Sequence, residues 1–116
     1  FEYSKIQKVS ISPNISRICS FAFRSCKHLK IVEIPANSNL QIIENGAFES
    51  TNIESIIIPP NVSQIMRNAF FFCENLLIVE ISEKSKLHSI SSSVFQRCEK
   101  ALIMIPASLN IEINSE

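Results

Sequence analysis

PNVSQIMRNAFFFCENLLIVEI, residues 60–81, sets out a spacing that organises the whole chain. Val62 and Ile65 form a V-x-x-I pair, Ala69-Phe70 is followed by Cys73 and Leu76 at three-residue steps, and Val79 and Ile81 flank Glu80. The same order stands 47 residues earlier in PNISRICSFAFRSCKHLKIVEI, residues 13–34. No part of the pattern is long enough for an amphipathic helix, whereas V-x-I alternates with the period of a strand.

Self-comparison carries the pattern through the chain. Ala-Phe recurs at Ala22-Phe23, Ala47-Phe48 and Ala69-Phe70, with Val94-Phe95 in the same place. The strand-like pair falls at Val9/Ile11, Val32/Ile34, Ile56/Ile58, Val79/Ile81 and Ile103/Ile105, with spacings of 23, 24, 23 and 24. Two kinds of unit therefore alternate, and a pair of 47 residues is the repeating object. Self-similarity at this period marks a stacked array of units.

Each V-x-I piece is β-branched, and three are closed by proline, in IPA (34–36), IPP (58–60) and IPA (105–107). These read as short inward-facing strands whose ladders stop where proline removes the donor. The following S-x-I or L-x-x-I segment is expected to turn the chain, and the Ala-Phe segment to form a 3-10 turn or a brief helical piece. One circuit buries too few apolar side chains to offset the entropy of ordering it, so a unit is expected to be stable only when stacked on its neighbours.

The A-F-x-x-C-x-x-L spacing, followed by V-x-I and proline, resembles the BspA-like leucine-rich repeats over essentially the whole chain. The resemblance implies a repeat solenoid: a leucine-rich-repeat right-handed arc with short parallel β-strands on the concave face and 3-10, short helical or extended segments on the convex face. On this reading residues 1–116 form one solenoid segment of about five units, part of a longer array. The resemblance also implies surface and secreted proteins assigned to adhesion or protein binding. Departures from the pattern are Thr51 in a cysteine place, Gly46 in the second unit alone, and Ala101 where a leucine is expected.

Composition removes several classes of function. Of 116 residues, 46% are hydrophobic, enough for a packed core, and eleven basic residues balance eleven acidic ones. No net field draws nucleic acid or an anionic membrane, and no apolar run is long enough to insert in a bilayer. Cys26, Cys73 and Cys98 each follow a column phenylalanine by three residues, with Thr51 in the same place. A position that accepts Cys or Thr reads as a small buried slot where a weak donor meets a turn carbonyl. A Cys73–Cys98 bridge between adjacent rungs stays geometrically open. No C-x-x-C occurs, and His28 and His88 lie in unrelated columns. No metal, cofactor or catalytic residues are therefore assigned, and the chain is not read as an enzyme.

The outward positions before and within the strands are Lys8/Ser10, Ile31/Glu33, Ser55/Ile57, Ile78/Glu80 and Leu102/Met104, and the eight residues of the last four pairs are the binding candidates. Ile31, Ile57, Ile78, Leu102 and Met104 form an expected apolar stripe beside Glu33 and Glu80, suited to a protein partner or to self-association. The register of the last strand is the weakest point, because Lys100 falls on inward Ile53 at the 47-residue offset and Ala101 competes for that slot. Asn14 and Asn61 head two N-x-S sequons and are candidate glycan acceptors if the chain is at the cell surface or secreted. The expected function is an adhesin-like protein-binding module. The alternative is an intracellular scaffold repeat packed permanently into a larger, for example cytoskeletal, assembly.

Overall fold

The computed structural model describes residues 1–114 and holds ten short strands and, among those residues, no helix. Five strands fall where V-x-I predicts them: β1 (Lys8–Ser10), β3 (Ile31–Glu33), β5 (Ser55–Ile58), β7 (Ile78–Ile81) and β9 (Leu102–Met104). All their pairings are parallel, with Val9 beside Val32, Ile56 beside Val79 and Val79 beside Ile103. The last strand is thus in register, and Ala101 takes the place held by Leu29 and Leu76. In all three, the amide N–H bonds to the carbonyl of the cysteine three residues before.

The segments expected only to turn the chain instead build a second parallel sheet, a correction to the sequence reading. It runs β2 (Arg17–Ile18), β4 (Ile42–Ile43), β6 (Gln64–Ile65), β8 (Ser89–Ser91) and β10 (Glu112–Asn114) without interruption. Its inward column is Ile18, Ile43, Ile65 and Ile90, all buried. Each S-x-I or L-x-x-I piece finds the equivalent piece of the next circuit alongside, so its backbone groups are paired by a ladder instead of by a local turn.

The expected helical character of the Ala-Phe segments is also corrected. In each circuit the residue two after the column phenylalanine is left-handed: Tyr3, Ser25, Ser50, Phe72 and Arg97, with φ of 58–64°. In three circuits the residue two before it is left-handed as well, at Phe21, Gly46 and Asn68. A right-handed helix cannot run through such positions, so the segment is a series of tight turns bonded to the next circuit, as in Phe23 N–H to Ala47 O and Phe48 N–H to Ala69 O, both 2.8 Å.

The core lies between the two sheets and this turn column. Phe1, Phe23, Phe48, Phe70 and Phe95 stack with centroids 5.3–5.6 Å apart and planes within 14° of parallel. Phe48 and Phe70 have no exposed surface, and Leu29, Leu40, Ile53, Ile58, Leu76 and Val79 are equally buried. Ile105, expected inward, is instead half exposed; among the described residues β9 is the edge strand of its sheet.

The long-strand sheet is interrupted at one place. β1 pairs with β3, and β5, β7 and β9 pair in sequence, but β3 and β5 form no ladder. Both ends of this split are held. At one end Asn52 N–H bonds Leu29 O at 3.1 Å and Asn52 Nδ2 donates to Lys27 O at 2.7 Å. At the other, Asn61 Nδ2 donates to Ser38 O at 3.0 Å and Ser63 N–H bonds Gln41 O at 2.8 Å.

Candidate functional site

Alternation along each long strand divides its side chains cleanly. On β5, Ile56 is 3% and Ile58 0% exposed, whereas Ile57 between them is 62% exposed. Ile31, Ile78, Leu102 and Met104 project from the same face and are also exposed. The pairing register arranges this face in two rows across the strands. One runs Lys8–Ile31, then Ser55–Ile78–Leu102 beyond the split; the other runs Ser10–Glu33, then Ile57–Glu80–Met104. All eight residues singled out on this face are therefore brought onto one surface, divided between β3 and β5.

Charge on the face is set unevenly. Glu33 accepts a hydrogen bond from Ser10 Oγ at 3.0 Å and pairs with Lys8 Nζ at 3.4 Å. The Ser10 hydroxyl and, after it, Lys8 hold the Glu33 carboxyl below its ordinary value. Glu80 is exposed and, among the described residues, pairs with no cation.

The split is a feature the sequence reading missed. A cavity of about 510 Å³ opens there, lined by Val32, Glu33, Ile34, Pro35, Ser55 and Ile57 among others. Val32 and Ile34 are half-buried, although their equivalents one repeat pair later, Val79 and Ile81, are 0% and 5% exposed. The signal was present in the repeat comparison: this rung pair has Pro35 and Ser55 where the closed β7–β9 pair has Ser82 and Leu102. Leu102 stands beside Ile78 and adds a cross-strand apolar contact that Ser55 cannot give Ile31.

The cysteine slot takes the predicted form. Cys26, Cys73 and Cys98 are free, buried thiols, each directing Sγ at the carbonyl of the column phenylalanine one circuit before: Phe1 O at 2.9 Å, Phe48 O at 3.2 Å and Phe70 O at 2.9 Å. Thr51 Oγ1 lies 3.4 Å from Cys73 Sγ. Its contact with the Cys98 thiol and its burial push the Cys73 thiol well above its ordinary value, so it stays protonated. Cys19 is free and exposed.

The remaining candidates are scattered. His28 and His88 are exposed, and Glu33 and Glu80 are separated by β5. No group of three metal-ligating side chains occurs among the described residues, and no helix there is long and apolar enough to cross a membrane. Asn14 is exposed, whereas the Asn61 amide is engaged by Ser38 O.

This geometry defines a parallel β-solenoid of leucine-rich-repeat type, and comparison with known proteins gives its family. A model described as "BspA type Leucine rich repeat region (6 copies)" matches residues 1–115. The chain belongs to the BspA-type leucine-rich repeat family. Among solved structures, it is similar to the pneumococcal vaccine antigen PcpA, with 30% identity and a TM-score of 0.74 over 78% of this chain and 22% of that one. A leucine-rich cell surface protein from Faecalibacterium prausnitzii A2-165 shares 24% identity, with a TM-score of 0.57 over 90% of this chain and 33% of its own. The T. pallidum leucine-rich repeat protein shares 20% identity, with a TM-score of 0.61 over 92% of this chain and 59% of its own. The last two likenesses are of fold. The chain therefore spans about a fifth to three-fifths of the length of these structures. A search of curated protein sequences gives no match.

Proposed function

We propose that the chain is a protein-binding module, a surface or secreted adhesin-like repeat segment that recognises a protein partner through its long-strand face. The observation that carries this reading is the exposure of Ile31, Ile57, Ile78, Leu102 and Met104 together on one sheet, beside the carboxylates Glu33 and Glu80. A folded sheet gives these side chains fixed positions at little further entropic cost on binding, and apolar surface rimmed by charge suits a protein interface. Membership of the repeat family and the likeness to PcpA, a vaccine antigen, support a place at the cell surface. There, Asn14 would be the accessible sequon, and Asn61 would have to give up its bond to Ser38 to accept a glycan.

Changing Ile57 and Ile78 together to Ser is the test. Binding to immobilised extracellular-matrix proteins, and self-association followed by sedimentation, should both be measured. Loss of binding with an almost unchanged melting temperature is expected; unaltered binding to every partner the unmodified chain captures would overturn the reading.

A second reading, an intracellular scaffold held permanently in a larger assembly, is favoured by the free thiols, above all exposed Cys19. It requires a partner that co-purifies and does not exchange, whereas a surface module should bind reversibly.

A further inference from the structure

The split between β3 and β5 is a bounded slot whose facing backbone groups close no ladder. Ile31 N–H bonds Gln7 O and Ile11 N–H bonds Glu33 O, so Ile31 and Glu33 direct their peptide groups at β1. By strand alternation Val32 and Ile34 direct theirs at β5. Likewise Leu77 N–H bonds Glu54 O, which turns the groups of Ser55 and Ile57 toward β3. These donors and acceptors face one another across the split without closing a ladder, while the second sheet, the phenylalanine stack and the Asn52 and Asn61 bonds keep the two circuits together on every other side. The opening is thus confined to the length of the strands and to the exposed face.

We infer that this slot receives an apolar side chain of an extended peptide from a protein partner, with a lysine or arginine of that peptide two positions away seated on Glu80. The inference rests on the binding-face reading above and names the chemistry of its partner. Apolar walls from Val32, Ile34 and Ile57 suit an aliphatic side chain that enters from the exposed face. Charge selects the second contact. Glu33, on one lip, already has Ser10 and Lys8, whereas Glu80, on the strand beyond Ile57, pairs with no cation among the described residues. Distance is compatible: β7 lies one strand spacing beyond β5 and so somewhat more than about 7 Å from the middle of the opened slot, while same-side residues of an extended peptide repeat at roughly 7 Å and a long lysine or arginine side chain spans the difference.

The test uses the full chain, isotope-labelled, and three blocked heptapeptides in a Ser/Thr background: one with valine and lysine two positions apart, one with glutamate replacing the lysine, one with serine replacing the valine. Amide shifts on titration should centre on Val32, Ile34, Ser55 and Ile57 for the first peptide, and the other two should bind at least about tenfold more weakly. Glu80→Lys should reverse the preference toward the glutamate peptide. The double variant Pro35→Ser, Ser55→Leu gives this rung pair the residues of the closed β7–β9 pair and should abolish binding; Glu80→Lys decides the matter if the double variant does not fold. Shifts centred on Leu102 and Met104 would overturn the slot while leaving the binding-face reading in place. Equal affinity for the three peptides, or no shift with any, would overturn the slot outright.

Discussion

Gly46 is the residue whose identity the structure explains most directly. It sits at φ +61°, and a Cβ there would stand 2.5 Å from Cε1 of Phe21. The Arg24 guanidinium lies over the Phe21 ring, 4.4 Å from its centroid, so a ring that moved aside would disturb this contact. Gly46→Ala should cost about 1–3 kcal/mol, from left-handed strain and overpacking together. Part of that cost should vanish in a Phe21→Ala background, as read from a denaturant double-mutant cycle. The cysteine slots make a matching prediction. Cys73→Ser keeps a donor for Phe48 O and should fold with a small loss, whereas Cys73→Val leaves that buried carbonyl unmet and should lose roughly 1–3 kcal/mol in the same measurement.

At the scale of the element, β1 is held to β3 partly by charge. Because the Ser10 hydroxyl and Lys8 lower the Glu33 carboxyl, the contact contributes fully once an unfolded-chain glutamate would be ionised. It is lost only as pH falls below the ordinary carboxylate range and through the depressed Glu33 value. Amide exchange should therefore accelerate in β1 and β3 on acidification before it does in β5 and β7, where Glu80 faces no such partners. Ser10→Ala should raise the Glu33 titration midpoint toward the ordinary value, as followed by the carboxyl carbon resonance. The helical turn expected around each Ala-Phe was lost at this scale too: left-handed residues two positions after every column phenylalanine interrupt it, and their bonds go to the next circuit instead.

For the molecule as a whole, stability is distributed along the stack, and position within it sets the cost of a lesion. Phe48 lies between Phe23 at 5.3 Å and Phe70 at 5.4 Å, fully buried. Phe48→Ala should cost roughly 3–5 kcal/mol and broaden or split the unfolding transition, since it cuts the contacts linking circuits on either side. Phe1, 76% exposed at the end of the stack, should lose less than about 1 kcal/mol on the same change. Circular-dichroism melts of the two variants make the comparison.

Sequence by itself determined the repeat, the long strands, their inward and outward faces and the cysteine slots. Each depends on side-chain period or on a spacing that returns every circuit, and both are written locally in the chain. The eight face residues were legible for the same reason, since an alternating strand leaves only two faces to choose between. Tertiary structure alone decided where backbone hydrogen bonds go. The second sheet arises because each short S-x-I or L-x-x-I piece meets its equivalent in the next circuit, a pairing that no segment shows alone. The split between β3 and β5 likewise depends on how Ile31, Ser55 and Glu33 meet their neighbours across strands. Glu33 leans to Ser10 and Lys8, Ser55 offers no apolar contact, and one rung pair in an otherwise regular stack stays open.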